Sequence, residues 1–251
     1  MFEGNALMTF GGIQKLTLLD YPERTACTLF TIGCNFRCPY CQNKTLLNAS
    51  DCKQTISASE VLAFLRTRQK LLDGVCISGG EPLMQKNLAS FIKEVKELGF
   101  LVKIDTNGTY PQRLSELIDS GIIDYVAMDI KNTPEKYAAS AGVKDYDITP
   151  VLESMDILHL SSIEYEYRTT VVRELHTEDD LVSIANRIRG KSDYSGKNLQ
   201  TSDSNIKYFL QGFVDSGDVL QKGLTCYTAE ELQHFLCKIK EILPTAELRG
   251  V

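Results

Sequence analysis

Three features of this 251-residue sequence predict an α/β protein with a parallel sheet. Short apolar runs rich in β-branched and aromatic residues recur at 26–32, 75–78, 101–105, 125–130, 165–172 and 206–211. Helical patterns lie between them, and strand–helix–strand order gives right-handed βαβ units whose strands pair in parallel. Several helices also announce their own starts. Ser57-x-x-Glu60, Thr177-x-x-Asp180 and Thr228-x-x-Glu231 each place a hydroxyl where it can accept from an orphan N–H. The carboxylate three residues on favours the positive helix end.

The elements follow in order. After the first strand, helical periodicity runs over 57–71. The strand at 75–78 is followed by a helix over 86–98, and the strand at 101–105 by one over 114–120. The strand at 125–130 leads to a helix at 151–160, and the strand at 165–172 to one at 181–189. The strand at 206–211 precedes a last helix at 230–243. Parallel sheets carry their chemistry just beyond the C-terminal strand ends, so the residues there are the ones to inspect. The polar stretch 190–205 reads as a surface loop between a helix and a strand. No linker or repeat divides the chain, so residues 1–251 are expected to form a single domain.

Composition removes several classes. With 27 Lys and Arg against 33 Asp and Glu, the net charge of −6 argues against a broad basic face for nucleic acid. No run approaches the ~20 apolar residues that span a bilayer. Residues 1–10 show no basic segment followed by an apolar one, as a secretion signal would. A cytoplasmic protein with neither nucleic acid nor membrane as partner is expected. In that compartment its eight cysteines are free thiols. Cys27 and Cys76 in strands, and Cys237 in a helix, read as small hydrophobes.

Cys34, Cys38 and Cys41 differ, because they form a C-x3-C-x2-C run directly after the first strand. A shuffled sequence with this cysteine content would contain that spacing roughly one time in a hundred. Three thiolates on one loop suit a metal centre. A structural zinc would want a fourth ligand, and Cys27 and Cys52 are the nearest thiols. A 4Fe–4S cluster held by three cysteines keeps one iron open for a ligand. Spacing alone leaves iron–sulfur, zinc and coincidence standing.

The run CNFRCPYC, with Tyr40 before the third cysteine, resembles the signature of the radical S-adenosylmethionine enzymes. Gly79-Gly80-Glu81-Pro82, after the second strand, is similar to that family's Gly-Gly-Glu-Pro segment. Residues 105–108 (DTNG) and 129–131 (DIK) resemble segments of the glycyl-radical-enzyme activating enzymes. The opening GGIQKLTLLDYP at 11–22 resembles the start of the activating proteins of anaerobic ribonucleoside-triphosphate reductase. The resemblance covers about residues 11–249, leaving 1–10 as an N-terminal extension. It implies a partial (β/α)6 TIM-type barrel, the radical SAM core.

The implied activity is reductive cleavage of S-adenosylmethionine to methionine and a 5′-deoxyadenosyl radical, which generates a glycyl radical on a partner enzyme. Cys34, Cys38 and Cys41 would ligate one site-differentiated 4Fe–4S cluster. Gly79, Gly80 and Glu81 would receive the methionine amine, and Tyr40 and Gln42 would lie at the adenine. Asp105, Asn107, Asp129, Ile130, Lys131 and Arg168 complete the implied cofactor contacts. Asp105, Thr106, Met128 and Asp129 match the residues that hold a monovalent cation in the related pyruvate formate-lyase activating enzyme. The implied partners are a glycyl radical enzyme and an external one-electron donor such as flavodoxin or ferredoxin. A small-molecule or peptide substrate, as for 7-carboxy-7-deazaguanine synthases, is the alternative.

Some residues depart from the pattern. Gln42 stands where the subgroup has His, and Gln211 where a late-strand histidine meets the cofactor. Glu23 replaces a glycine expected in a tight turn near the barrel mouth. His176 reads as a loop histidine. A second cluster is not expected, since only Cys52 lies between Cys41 and the helix at 57.

Overall fold

The computed structural model describes residues 8–190, 206–215, 217 and 219–250, so all of the 190–205 loop except Gly190 falls outside the described residues. All six expected strands and all six expected helices are present. In order they are β1 (Thr9–Thr17), β2 (Ala26–Thr31), β3 (Ile56–Ser57), α1 (Ala58–Arg66), β4 (Gly74–Gly79), α2 (Leu88–Glu97), β5 (Leu101–Thr106) and α3 (Pro111–Asp119). These are followed by β6 (Tyr125–Asp129), α4 (Pro134–Ala141), α5 (Thr149–Leu160), β7 (Glu164–Val171), α6 (Glu178–Arg189), β8 (Lys207–Gly212), α7 (Ala229–Lys240) and β9 (Glu247–Arg249). The structure adds β1, β3, β9 and α4 to the expected set. The described residues contain no helix long and apolar enough to cross a membrane.

The chain divides into two compact units. The first comprises residues up to Asn35, Thr45–Thr106 and Arg113–Val126; the second comprises Phe36–Lys44, Asn107–Gln112 and the chain from Ala127. Strand β6 begins in the first and ends in the second.

In the first unit the strand order is β3-β1-β2-β4-β5. β2, β4 and β5 run parallel, and their interiors are buried, as in a sheet covered on both faces. β1 is antiparallel to both its neighbours. That antiparallel register corrects one expectation. Thr17 pairs with Ala26, so the turn holding Glu23 joins the start of β2, whereas Cys34 follows the end of β2. Glu23 is therefore remote from the strand ends where the chemistry is placed. It does occupy the left-handed region, with φ 59°, where a glycine would sit without strain.

In the second unit β7, β8 and β9 are parallel. Phe36 is buried here, edge-on to Tyr146 with centroids 5.2 Å apart, while Tyr146 stacks on Tyr137 at 5.8 Å. This aromatic cluster anchors the cysteine run to α4. The anchor is tightened by Gly142, the left-handed cap of α4: a Cβ there would lie 1.9 Å from Arg37 O. All three expected capping boxes form, at Ser57, Thr177 and Thr228. Cys237 is a correction. It lies on α7 but is exposed, because the buried face is Leu232, Phe235, Leu236 and Ile239.

Candidate functional site

The first unit contributes Cys34 and the Gly-Gly-Glu segment. Just beyond β2 lies Gly33, whose N–H donates to Leu46 O (2.7 Å) and whose carbonyl accepts from Glu81 N–H (2.8 Å). Gly80 N–H donates to Thr31 O at 3.0 Å. The chain's own backbone demands glycine at 80, since a Cβ there would meet Gly33 O at 2.1 Å. Glu81 is buried, and its Oε1 accepts from Leu83 N–H (3.0 Å) and from the Thr106 hydroxyl (2.8 Å). Asp105 pairs with Lys103 at 2.7 Å. Lys103 was not anticipated. It is 1% exposed, and the signal for it was its i, i+2 spacing from Asp105, which puts both on one face of a strand.

The second unit gathers Cys38, Tyr40, Cys41, Asp129, Lys131 and Arg168. Asp129 Oδ2 lies 3.1 Å from Lys131 Nζ, and its Oδ1 accepts from Arg168 Nε at 2.9 Å. The alternation expected of a strand end is observed, with Ile130 buried between its two charged neighbours. Burial pushes the Cys38 thiol up to about 11, and the Lys131 ammonium opposes that shift. Cys41 is also raised by burial, against the charges of Lys131 and Arg37. Lys131 itself stays protonated: burial disfavours its charge, but Asp129 and the neighbouring phenol and thiol outweigh it. Tyr40 is buried, and its hydroxyl has no hydrogen-bond partner.

Other residues fix this arrangement. Ile130 N–H donates to Arg168 O (2.8 Å), and Thr169 Oγ1 donates to Ile130 O (2.9 Å). His176 is a correction to its reading as a loop residue. It is fully buried, with Nε2 2.8 Å from Lys131 O and Nδ1 at the Val172 backbone, and burial lowers its pKa. A neutral ring that donates from Nε2 and accepts at Nδ1 satisfies both contacts. Gln42 is exposed and donates to Val214 O at 2.8 Å, while Gln221 N–H donates to Pro39 O at 2.9 Å. Asn107 accepts from Thr109 N–H and Oγ1 within its own turn, and Met128 is buried in β6. Gln211 lies in β8 in register with Thr170 and Arg249.

Among the described residues, no three His, Cys, Asp or Glu side chains form a group able to hold a metal ion by themselves. The residues nevertheless fit a thiolate-held cluster with an amino-acid cofactor. A partly buried ammonium faces Cys38 and Cys41, a guanidinium and a carboxylate stand beside it, and a buried phenol lacks a partner.

Parallel strands covered by helices, with a cysteine-bearing loop just beyond a strand end, make this an α/β protein whose loop thiols are candidate metal ligands. The chain belongs to the radical SAM superfamily, whose description matches residues 28–188. Membership implies a 4Fe–4S cluster and S-adenosylmethionine. The chain is 34% identical over 200 residues to the protein named "Putative glycyl-radical enzyme activating enzyme MJ1227" of Methanocaldococcus jannaschii, covering 77% of this chain and 80% of that one. It is 36% identical over 98 residues to the 7-carboxy-7-deazaguanine synthase of Thermoplasma acidophilum, covering 39% of this chain and 43% of that one. In fold it is similar to Streptococcus suis SuiB bound to its precursor peptide SuiA, with TM-score 0.67 and 12% identity over 87% of this chain and 47% of that one. The chain thus spans most of the first relative and under half of the other two.

Proposed function

We propose that this protein is a glycyl-radical-enzyme activating enzyme, with anaerobic ribonucleotide reductase among the candidate partners. The similarity that supports this most is the 34% identity spread over 77% of the chain with the archaeal protein of that name. When bound, the cluster and S-adenosylmethionine take one electron from a flavodoxin- or ferredoxin-like donor and supply a 5′-deoxyadenosyl radical, which removes a hydrogen atom from a glycine Cα of the partner. Cys34, Cys38 and Cys41 are the proposed cluster ligands in a single domain spanning about residues 11–249.

The chain's own residues have distinct tasks in this reading. Lys131 presents a permanent positive charge to the thiolates of Cys38 and Cys41, which favours their deprotonated, metal-binding forms. Arg168 and Asp129 offer a donor and an acceptor, held together at 2.9 Å, to the carboxylate and hydroxyls of the cofactor. Tyr40 would lie at the adenine, with its ring available for packing. His176, neutral and buried, fixes the carbonyl of Lys131 and with it the direction of that side chain. The monovalent cation is not carried into the proposal, because Asp105 already pairs with Lys103, and Asp129 with Lys131 and Arg168. A cytoplasmic location goes with the proposed donor and partner.

The test is anaerobic incubation of the reconstituted, reduced protein and S-adenosylmethionine with candidate glycyl radical enzymes. A glycine-centred EPR doublet on one of them, absent with Cys38→Ser, is expected. Its absence with every candidate, alongside intact cofactor cleavage, would remove the activase reading. The 36% identity to a deazaguanine synthase supports a second reading, a small-molecule substrate. Turnover that releases 5′-deoxyadenosine with a small molecule and no partner protein would favour it.

A further inference from the structure

A cavity of about 190 Å³ lies within the second unit, between the first turn of α4, the N-terminal half of α5 and the middle of α6. Ile130, Val151, Met155 and Ile184 line it, all buried, so its deeper wall is apolar. Its polar lining differs in kind. Thr133 is nine-tenths buried and is the N-cap of α4, yet its hydroxyl makes no capping bond. An N-cap threonine normally spends that oxygen on the helix; here it stays available to the cavity that Thr133 lines. Pro134 brings no N–H, and Lys136 N–H turns back to Thr133 O at 3.1 Å. The first-turn donor left facing outward is Glu135 N–H. Arg187, exposed on α6, lines the same cavity.

We propose that this cavity binds a small organic anion, a carboxylate on a short hydrocarbon chain. Thr133 Oγ1, Glu135 N–H and the Arg187 guanidinium receive the head, and the four apolar residues receive the tail. A planar guanidinium matches a carboxylate in two parallel hydrogen bonds. The helix end favours a negative group. The side chain of Glu135 lines the cavity too, and its charge opposes a dianion more than a monoanion, which favours carboxylate over phosphate. An occupant would touch Ile130, the residue that separates Asp129 from Lys131. The proposal does not depend on the identity of the radical acceptor.

Methyl-resolved NMR of the full chain, titrated separately with hexanoate, 1-hexanol and inorganic phosphate, tests it. Hexanoate is expected to shift the methyls of Ile130, Val151, Met155 and Ile184 saturably, with Kd on the order of a millimolar for so small a ligand. Hexanol and phosphate should each bind at least about tenfold more weakly, and Arg187→Gln should weaken hexanoate by about the same factor. Thr133→Val should weaken hexanoate severalfold while leaving Tm within about a degree, because the hydroxyl it removes makes no capping bond to α4. No saturable shift, hexanol binding as tightly as hexanoate, phosphate binding more tightly, or an Arg187→Gln protein that binds normally would each overturn the proposal.

Discussion

Replacing Gly80 with alanine tests how the Gly-Gly segment meets the residue before Cys34. The new Cβ would lie 2.1 Å from Gly33 O and 2.7 Å from Gly33 C. Carbon contacts become comfortable only near ~3.5 Å, so one backbone must withdraw by about an ångström or more. Such a shift breaks the 2.8 Å bond from Glu81 N–H to Gly33 O and stretches the 3.0 Å bond from Gly80 N–H to Thr31 O. Leaving those groups unpaired costs about 1–3 kcal/mol, and the residual strain raises the total to about 2–4. The lower unfolded-state entropy of alanine returns less than about 1 kcal/mol. For a chain of this length the net loss corresponds to a Tm lower by about 5–10 °C. Circular dichroism melts should show it, with a parallel fall in urea midpoint at unchanged slope. Gly12→Ala is the control, since its Cβ would meet only Phe30 at 3.7 Å, and it should stay within about 0.5 kcal/mol of the parent. A Gly80→Ala protein that melts within a degree of the parent would refute the close-approach argument.

Three further outcomes follow from the geometry. Glu23→Gly should stabilise the chain by about 1 kcal/mol, measured by urea unfolding, because it relieves a left-handed residue with φ 59°. Arg249→Met should cost about 3 kcal/mol in the same assay by removing the guanidinium that contacts the fully buried Glu166 carboxylate at 3.0 and 3.2 Å; adding Glu166→Gln should recover much of the loss. His159 has its pKa lowered to about 4 by burial, against a backbone group of Ile188. The fold therefore holds it neutral, and its contribution is complete above the unfolded value near 6.5. It is lost as pH falls from about 6.5 to 4, by up to about 3 kcal/mol. His159→Phe, in a site flanked by Tyr165 and Tyr167, should flatten the stability-versus-pH slope there by one proton; an unchanged slope would contradict the shift.

The local signals were the readable ones. Each capping box needs only four residues, so Ser57, Thr177 and Thr228 could be found without knowing the fold. β2, β4 and β6 are buried along most of their length and read as near-continuous apolar runs. β1 escaped because it contains Gly11 and Gly12, exposes several side chains and departs from regular register twice along β2. α4 had a signature, Pro134 at its start and Gly142 at its end, but PEKYAASA lacks an apolar stripe. At the site, the spacing of the cysteines and of Asp129 and Lys131 was visible because neighbours in sequence supply it. The pairing of Arg168 with Asp129, the burial of His176 beneath Lys131 and the seat of Gly80 against Gly33 depend on chain crossings that no local pattern records.

Gly33 also bears on how the protein matures. The residue before Cys34 is held from two directions, by Leu46 and by Glu81, and the second hold exists only after β4 has paired beside β2. While the chain is being synthesised, Cys34 therefore sits on a segment with no defined course until Glu81 has emerged and docked. Iron and sulfide delivered before that moment would meet thiols without a common geometry. With Cys34 as a cluster ligand, as proposed above, cluster insertion would follow tertiary folding of the first unit rather than accompany synthesis.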